Sequence, residues 1–347
     1  MSGHDTPGHD TPGHDMSGHD MSGVEILRVL LPVRAEARGI VGCDAREVAF
    51  VRIVDGPHAG FGECAPLAGL HRDSLDECIE AIERWSDGEI EFDAMPPCAA
   101  FAASCAVETA EGFGTRAAGP VAVAGFFAGG ADEFDGAAVQ ALGGARSVKL
   151  KIGRADEQAE RALIARVLDA LPSARLRLDG NRRLSESECV ARVHGFDAER
   201  FEYLEDPLVD PSRLAALSAR TGIAVALDET VVDASPAAAA LRDELSRRDC
   251  VTAWVLRLSA LGPLARVRAL AHEAEVRGAH AVLSTAYESS YCLRVAAHLA
   301  ASIPNARCAH GLGTAWVLAE DACAPARASG GFLACEPLPA PFAEAWG

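Results

Sequence analysis

Beyond residue 120 the chain alternates short apolar runs with amphipathic stretches whose apolar positions recur near a helical period. The runs fall at 121–126, 147–152, 174–178, 201–204, 223–227, 253–256, 280–283 and 306–310, roughly every 23–30 residues. That spacing is the pattern of repeated β-α units with parallel strands. Eight runs predict an α/β fold, a (β/α)8-type barrel over residues 119–320. Upstream, residues 24–118 read as a smaller α+β unit. Segment 48–54 is β-prone, Gly56-Pro57 marks a turn, and 76–85 and 99–109 carry helical periodicity. Segment 321–347 is expected to pack back on that unit. In residues 1–23 Gly-His-Asp recurs every five residues, placing His4, His9, His14 and His19. Nothing there can bury a core, which predicts a disordered tail.

Polar residues cluster at the carboxyl ends of the runs. They are Lys149 and Lys151, Asp179 and Asn181, Glu205, Asp228 and Glu229, Arg257, Ser284 and His310. In a barrel all strand C-termini meet at one mouth, so residues far apart in sequence are expected to converge.

Composition sharpens this picture. Only two of the 32 basic residues are lysine, and both lie in Lys149-Leu-Lys151. An ammonium can lose its proton when its pKa is depressed, whereas a guanidinium in practice cannot. The surviving pair therefore points to proton transfer. The net charge of −18 argues against a nucleic-acid or anionic-membrane partner. No apolar run reaches membrane-spanning length, and no signal-peptide core is present. Eleven cysteines without a Cys-x-x-Cys pair fit reduced, mostly buried thiols in a cytoplasmic protein. Oligomeric state is left open.

Asp179, Glu205 and Asp228 end three successive predicted strands. Three convergent carboxylates call for a cation, and all-oxygen ligation favours Mg²⁺, or Mn²⁺ as a substitute, over zinc. Asp206 and Glu229 are neighbouring competitors for the same role. Asn181 and Glu229 are candidates for orienting the ligands from behind. Lys149 and Lys151 share a strand face, so each is expected to depress the other's proton affinity. A lowered-pKa amine facing a metal suits removal of the proton α to a carboxylate, giving an enediolate.

Four segments resemble the successive motifs of the enolase superfamily, in its muconate-lactonizing branch. They are Lys-Leu-Lys-Ile-Gly (149–153), Arg-Leu-Asp-Gly-Asn-Arg (177–182), Tyr-Leu-Glu-Asp-Pro (203–207) and Ala-Leu-Asp-Glu-Thr (226–230). Gly-Phe-Gly-Glu-Cys-Ala-Pro-Leu-Ala-Gly-Leu (60–70), Ser-Thr-Ala-Tyr-Glu-Ser-Ser (284–290) and His-Gly-Leu-Gly-Thr (310–314) are similar to segments of the o-succinylbenzoate synthase family. The resemblance implies a modified (β/α)8-type (TIM-like) barrel with an N-terminal α+β capping domain, whose 60–70 loop closes over the mouth. It further implies a carbon–oxygen lyase of menaquinone synthesis. Such an enzyme dehydrates 2-succinyl-6-hydroxy-2,4-cyclohexadiene-1-carboxylate, a small-molecule carboxylate. By resemblance Lys151 removes the α-proton and returns it to the departing hydroxyl, and Lys149 tunes Lys151 and contacts the carboxylate. Ser284, Glu288, Ser289, Ser290 and Gly311 become candidates for substrate contact. His310 is expected to be a packed or loop histidine.

Two positions depart from the family pattern. Arg257 stands where the family carries a third lysine. Since arginine is a poor second base, Arg257 favours a same-face elimination over the two-base racemisation of N-acylamino-acid racemases or dipeptide epimerases. A non-catalytic metal-binding barrel is the remaining alternative. Gly180 replaces a common alanine, with little consequence expected.

Overall fold

A computed structural model of the protein describes residues 23–55, 58–303 and 308–346. Residues 1–22 of the His-rich tail, the Gly56-Pro57 turn and the first two residues of the eighth apolar run lie outside them. The N-terminal region is a three-stranded antiparallel sheet of β1 (Val24–Pro32), β2 (Ala45–Asp55) and β3 (His58–Cys64). Two helices cover it, Leu75–Ser86 and Pro97–Ala110. The first starts at a Ser74/Glu77 capping box, which satisfies backbone donors at its exposed N-terminus. The second is apolar nearly all round, and 12 of its 14 residues are buried. A helix of that kind must be covered on every side. It lies against β3 on one side, and its Ser104 Oγ accepts from Leu264 N of the second region at 3.1 Å on another.

The family likeness predicts a loop over 60–70, but its first half is strand. A side-chain carbon on Gly60 would come within 1.9 Å of Ala106 O, and one on Gly62 within 1.8 Å of Ala102 O. Glycine is what lets β3 lie directly on the helix. Only the stretch from Ala65 onward leaves the sheet, and it carries Leu67 to the barrel mouth.

The second region is a parallel sheet running β5 (Gly125–Phe127), β6 (Ser147–Lys151), β7 (Arg175–Asp179), β8 (Phe201–Glu205), β9 (Val225–Leu227), β10 (Val251–Arg257) and β11 (His280–Ser284) in spatial order. Helices connect successive strands, and the apolar outward residues Val148, Leu150, Leu176, Leu178 and Leu204 are fully buried beneath them. The eighth position is filled by two isolated parallel bridges, Val123 with His310 and Ser284 with Gly311, which link β11 back toward β5. The predicted 121–126 run is divided. Its first part belongs to β4 (Ala118–Ala122), which pairs antiparallel with β12 (Phe332–Cys335) outside the parallel sheet.

Beyond β12 the chain meets the N-terminal sheet again. Phe342 packs edge-on against Phe50 at 5.5 Å between ring centres, and Trp346 lies 5.6 Å from Phe61. All eleven cysteines are free thiols. No helix among the described residues is long and apolar enough to cross a membrane.

Candidate active site

Strand register stacks the inward side chains in two tiers. Lys149, Arg177 and Tyr203 are in-register neighbours across β6, β7 and β8, and so are Lys151, Asp179 and Glu205 one step nearer the mouth. Residues two apart on a strand share a face, so each lower member lies beneath its upper partner. Asp228 follows directly after β9. Oxygens of Asp179, Glu205 and Asp228 all lie within 4.8 Å of one another, and all three residues are buried.

Asp206 does not join them. Its carboxylate accepts from the backbone N–H groups of Asp228 at 3.0 Å and Thr230 at 2.9 Å, and from the Thr230 hydroxyl. It braces the turn that aims Asp228. Asp228 Oδ1 and Glu229 Oε2 are buried without a hydrogen-bond partner. Orphaned carboxylate oxygens beside a buried acidic trio are costly unless a cation takes them up. The donor set therefore fits a hard divalent ion held by Asp179, Glu205 and Asp228, with Glu229 at its edge.

The electrostatics are uneven. Burial raises Glu205 to about 7, with the Asp179 charge adding to the effect and Lys149 opposing it. Burial likewise raises Asp228 to about 6 against the attraction of Arg257. Asp179 is also buried, but Lys149 and Lys151 outweigh that and hold it well below the usual carboxylate range. Lys149 Nζ lies 2.7 Å from both Asp179 and Glu205, and Lys151 Nζ lies 2.6 Å from Asp179.

Mutual depression of the two lysines is corrected by this geometry. Burial lowers Lys151, and the nearby cations of Lys149 and Arg257 lower it further against the pull of Asp179. Lys149 moves the other way. Burial would lower it, but Asp179, Glu205 and Asp228 together prevail and raise it. One amine of the pair is thus made easier to deprotonate, and the other harder. Asn181 accepts from Lys151 Nζ at 2.7 Å and donates to Glu229 at 3.0 Å, joining the amine to the acidic cluster. Arg257 is paired with Asp228 and kept protonated.

Ser284 and Gly311 line the cavity beside the lysines. They approach closely, since a side-chain carbon at Gly311 would meet Ser284 Oγ at 2.9 Å. Glu288, Ser289 and Ser290 do not line it. Glu288 accepts from Ser259 Oγ at 2.7 Å, Ser289 donates to Glu63, and the Ser290 N–H donates to Asp321 at 2.8 Å. These three are fastened into the structure behind the cavity wall. His310 is fully buried, its Nδ1 accepts from Leu283 N at 3.0 Å, and burial pushes its pKa down to about 4, so it is a neutral packed residue.

Gly180 matters more than expected. A side-chain carbon there would sit 2.6 Å from Pro207 Cα, so an alanine would push apart the two turns that carry Asp179 and Glu205.

Cavity residues missed in the sequence include Arg177, Tyr203, Phe126 and Tyr287. Arg177 is buried, donates to both Glu202 oxygens and to Ala309 O at 2.7 Å, and lies over the Tyr203 ring. The signal was available for two of them. Arg177 and Tyr203 precede Asp179 and Glu205 by two positions, as Lys149 precedes Lys151.

The family model described as enolase C-terminal domain-like matches residues 134–339. The chain belongs to that family. The o-succinylbenzoate synthase of Yersinia enterocolitica is 31% identical over 264 residues, covering 74% of this chain and 79% of that protein. That of Proteus mirabilis is 30% identical over 252 residues, covering 70% and 74%. With such relatives this member of the family is an enzyme. Among solved structures, the L-Ala-D/L-Glu epimerase of Bacillus subtilis in a substrate-liganded complex aligns with a TM-score of 0.74 at 18% identity, covering 92% of this chain and 97% of that one. An enolase superfamily member from Roseovarius nubinhibens complexed with magnesium aligns with a TM-score of 0.73 at 20% identity, covering 93% and 96%. These structural likenesses carry the fold, a modified barrel with an N-terminal cap.

Proposed function

We propose that the chain is an o-succinylbenzoate synthase, dehydrating 2-succinyl-6-hydroxy-2,4-cyclohexadiene-1-carboxylate in menaquinone synthesis. The observation that carries this reading is the asymmetry of the lysine pair. Lys151 alone is eased toward its neutral form, and the cation on the far side, Arg257, cannot become a second base. A one-base site suits loss of water from one face. Neutral Lys151 takes the α-proton, and the C–H electron pair moves into the carboxylate as an enediolate. That pair then re-forms the ring double bond as the C–O bond breaks. Lys151, now an ammonium, hands its proton to the departing hydroxyl, and water leaves.

Lys149 stays charged and holds Lys151 low, and Asn181 sets the direction of the Lys151 amine. Asp179, Glu205 and Asp228 would hold Mg²⁺. When bound, that ion supplies positive charge where the substrate carboxylate gains electron density. Ser284 and Gly311 line the cavity beside the lysines, which supports a part for them in contacting the substrate carboxylate. Free thiols throughout support a reducing compartment, the cytoplasm.

The test is to give the purified full chain the cyclohexadiene substrate with Mg²⁺ and follow o-succinylbenzoate. Turnover should vanish with chelator and return with Mg²⁺, and with Mn²⁺. Two-sided α-proton exchange on N-succinyl amino acids or dipeptides, without dehydration, would replace this reading with an epimerase. Mg²⁺ binding without turnover of any carboxylate would point to a non-catalytic barrel.

A further inference from the structure

Between the N-terminal sheet and the barrel lies a buried carboxyl that takes no part in the chemistry above. Glu63, on β3, is 1% exposed. It accepts from the Ser289 N–H at 2.9 Å and also from the Ser289 hydroxyl. Ser289 in turn caps the helix Ser290–Ser302 by accepting from Tyr291 N. This polar group therefore crosses from one region to the other inside the protein, where a carboxyl without partners would be expensive.

Its place in the chain gives it two arms. Four residues after Glu63 comes Leu67, which lines the cavity, and the stretch between is gripped by Arg46, donating to Ala65 O at 2.6 Å and Pro66 O at 3.1 Å. Just before Ser289 come Thr285, Ala286 and Tyr287, which also line the cavity. Tyr287 holds a left-handed backbone, φ +65°, a conformation a bulky residue keeps only when its surroundings impose it. Glu288 closes that loop by accepting from both Ala286 N and Ser259 Oγ.

We infer that Glu63 is a positioning residue, a buried clasp that sets the Leu67 wall and the Thr285–Tyr287 wall at a fixed separation. It acts on substrate enclosure and not on the proton transfer or the acidic trio, which stand on β6 to β9. The kinetic part of this inference rests on the function proposed above, and the structural part does not.

The experiment compares Glu63→Gln, Glu63→Asp and Glu63→Leu in the full chain. Glutamine keeps both hydrogen bonds, accepting from Ser289 N and donating its amide to Ser289 Oγ, so KM should stay within about threefold of wild type. Aspartate falls one methylene short and leucine offers no acceptor. Either should raise KM about tenfold or more while kcat changes less, as expected when a wall and not the reacting groups is displaced. Mg²⁺ affinity should match wild type in all three. Hydrogen exchange without substrate should quicken in both 65–71 and 284–288 in the aspartate variant. If leucine fails to fold, aspartate carries the test. Unchanged KM in the aspartate variant, or faster exchange in only one segment or in neither, would overturn the inference. Faster exchange in both segments of a protein that turns over no substrate would sink the proposed activity and leave the clasp standing.

Discussion

The arc of barrel from β6 to β9 and the arc from β10 through the eighth position use their polar residues differently. In the first, Lys149, Lys151, Asp179, Glu205 and Asp228 converge on one buried cluster. In the second, Ser284 and Gly311 reach the cavity, Arg257 pairs with Asp228, and Glu288, Ser289, Ser290 and His310 serve the framework. Residues on a strand inherit their direction from its two-residue period. Residues beyond a strand end take direction from whatever packs against the loop. Position at a strand terminus is thus stronger evidence of chemistry than membership of a polar motif.

Four measurements would break or sharpen that contrast. The largest effect is expected at Lys151. Replacement by alanine should lower kcat by about 10²–10⁴-fold, and arginine should do nearly the same because it cannot release its proton. Substantial turnover in either variant would remove Lys151 from the centre of the site.

Next come the carboxylates. Asp179→Asn, Glu205→Gln or Asp228→Asn should weaken Mg²⁺ binding about 100-fold by calorimetry, with Asp206→Asn affecting fold stability more than the metal. The same titration on wild-type protein tests the pH sign. Glu205 near 7 and Asp228 near 6 hold protons more tightly than ordinary carboxyls, and a protonated carboxyl is a poor ligand. Mg²⁺ affinity should therefore fall as pH drops from about 7 through about 6. A flat profile there would contradict the raised values.

A third measurement separates the two lysines. Lys149→Gln removes a cation that lowers Lys151, so the rising limb of kcat/KM against pH should move to higher pH. A limb that stays in place would deny Lys149 its tuning role.

The smallest changes pair one residue from each arc. Gly180→Ala should cost about 1–3 kcal/mol through overpacking against Pro207, read as a lower Tm. Ser290→Ala, behind the wall, should leave KM within about twofold. A large KM effect there would return Ser290 to the cavity.

Much of the candidate site's layout was legible because strand periodicity and barrel topology leave little freedom. Apolar runs located β6 to β11, and a polar residue at each carboxyl end had to face the mouth. The limits were equally physical. Gly60 and Gly62 fall in the segment whose family likeness implies a closing loop, yet they mark the close approach of a strand to a helix, and an identical residue type serves both purposes. Arg177 opened a motif without being singled out, and register shows it beside Lys149 in the tier below Asp179. Ser289 sat in a segment similar to a substrate-binding motif, but Glu63, 226 residues away, claims its hydroxyl.

The amino-acid order by itself determined which residues carry ionisable groups, which strand faces they occupy, and that Lys151 and three carboxylates share the mouth, because local backbone period fixes facing. The tertiary structure alone decided how those charges act on one another. Burial and a few ångströms of separation send Lys149 up and Lys151 down, turn Asp206 to the backbone and leave Asp228 to the cluster, since electrostatic energy depends on distance and dielectric, and neither is written along the chain.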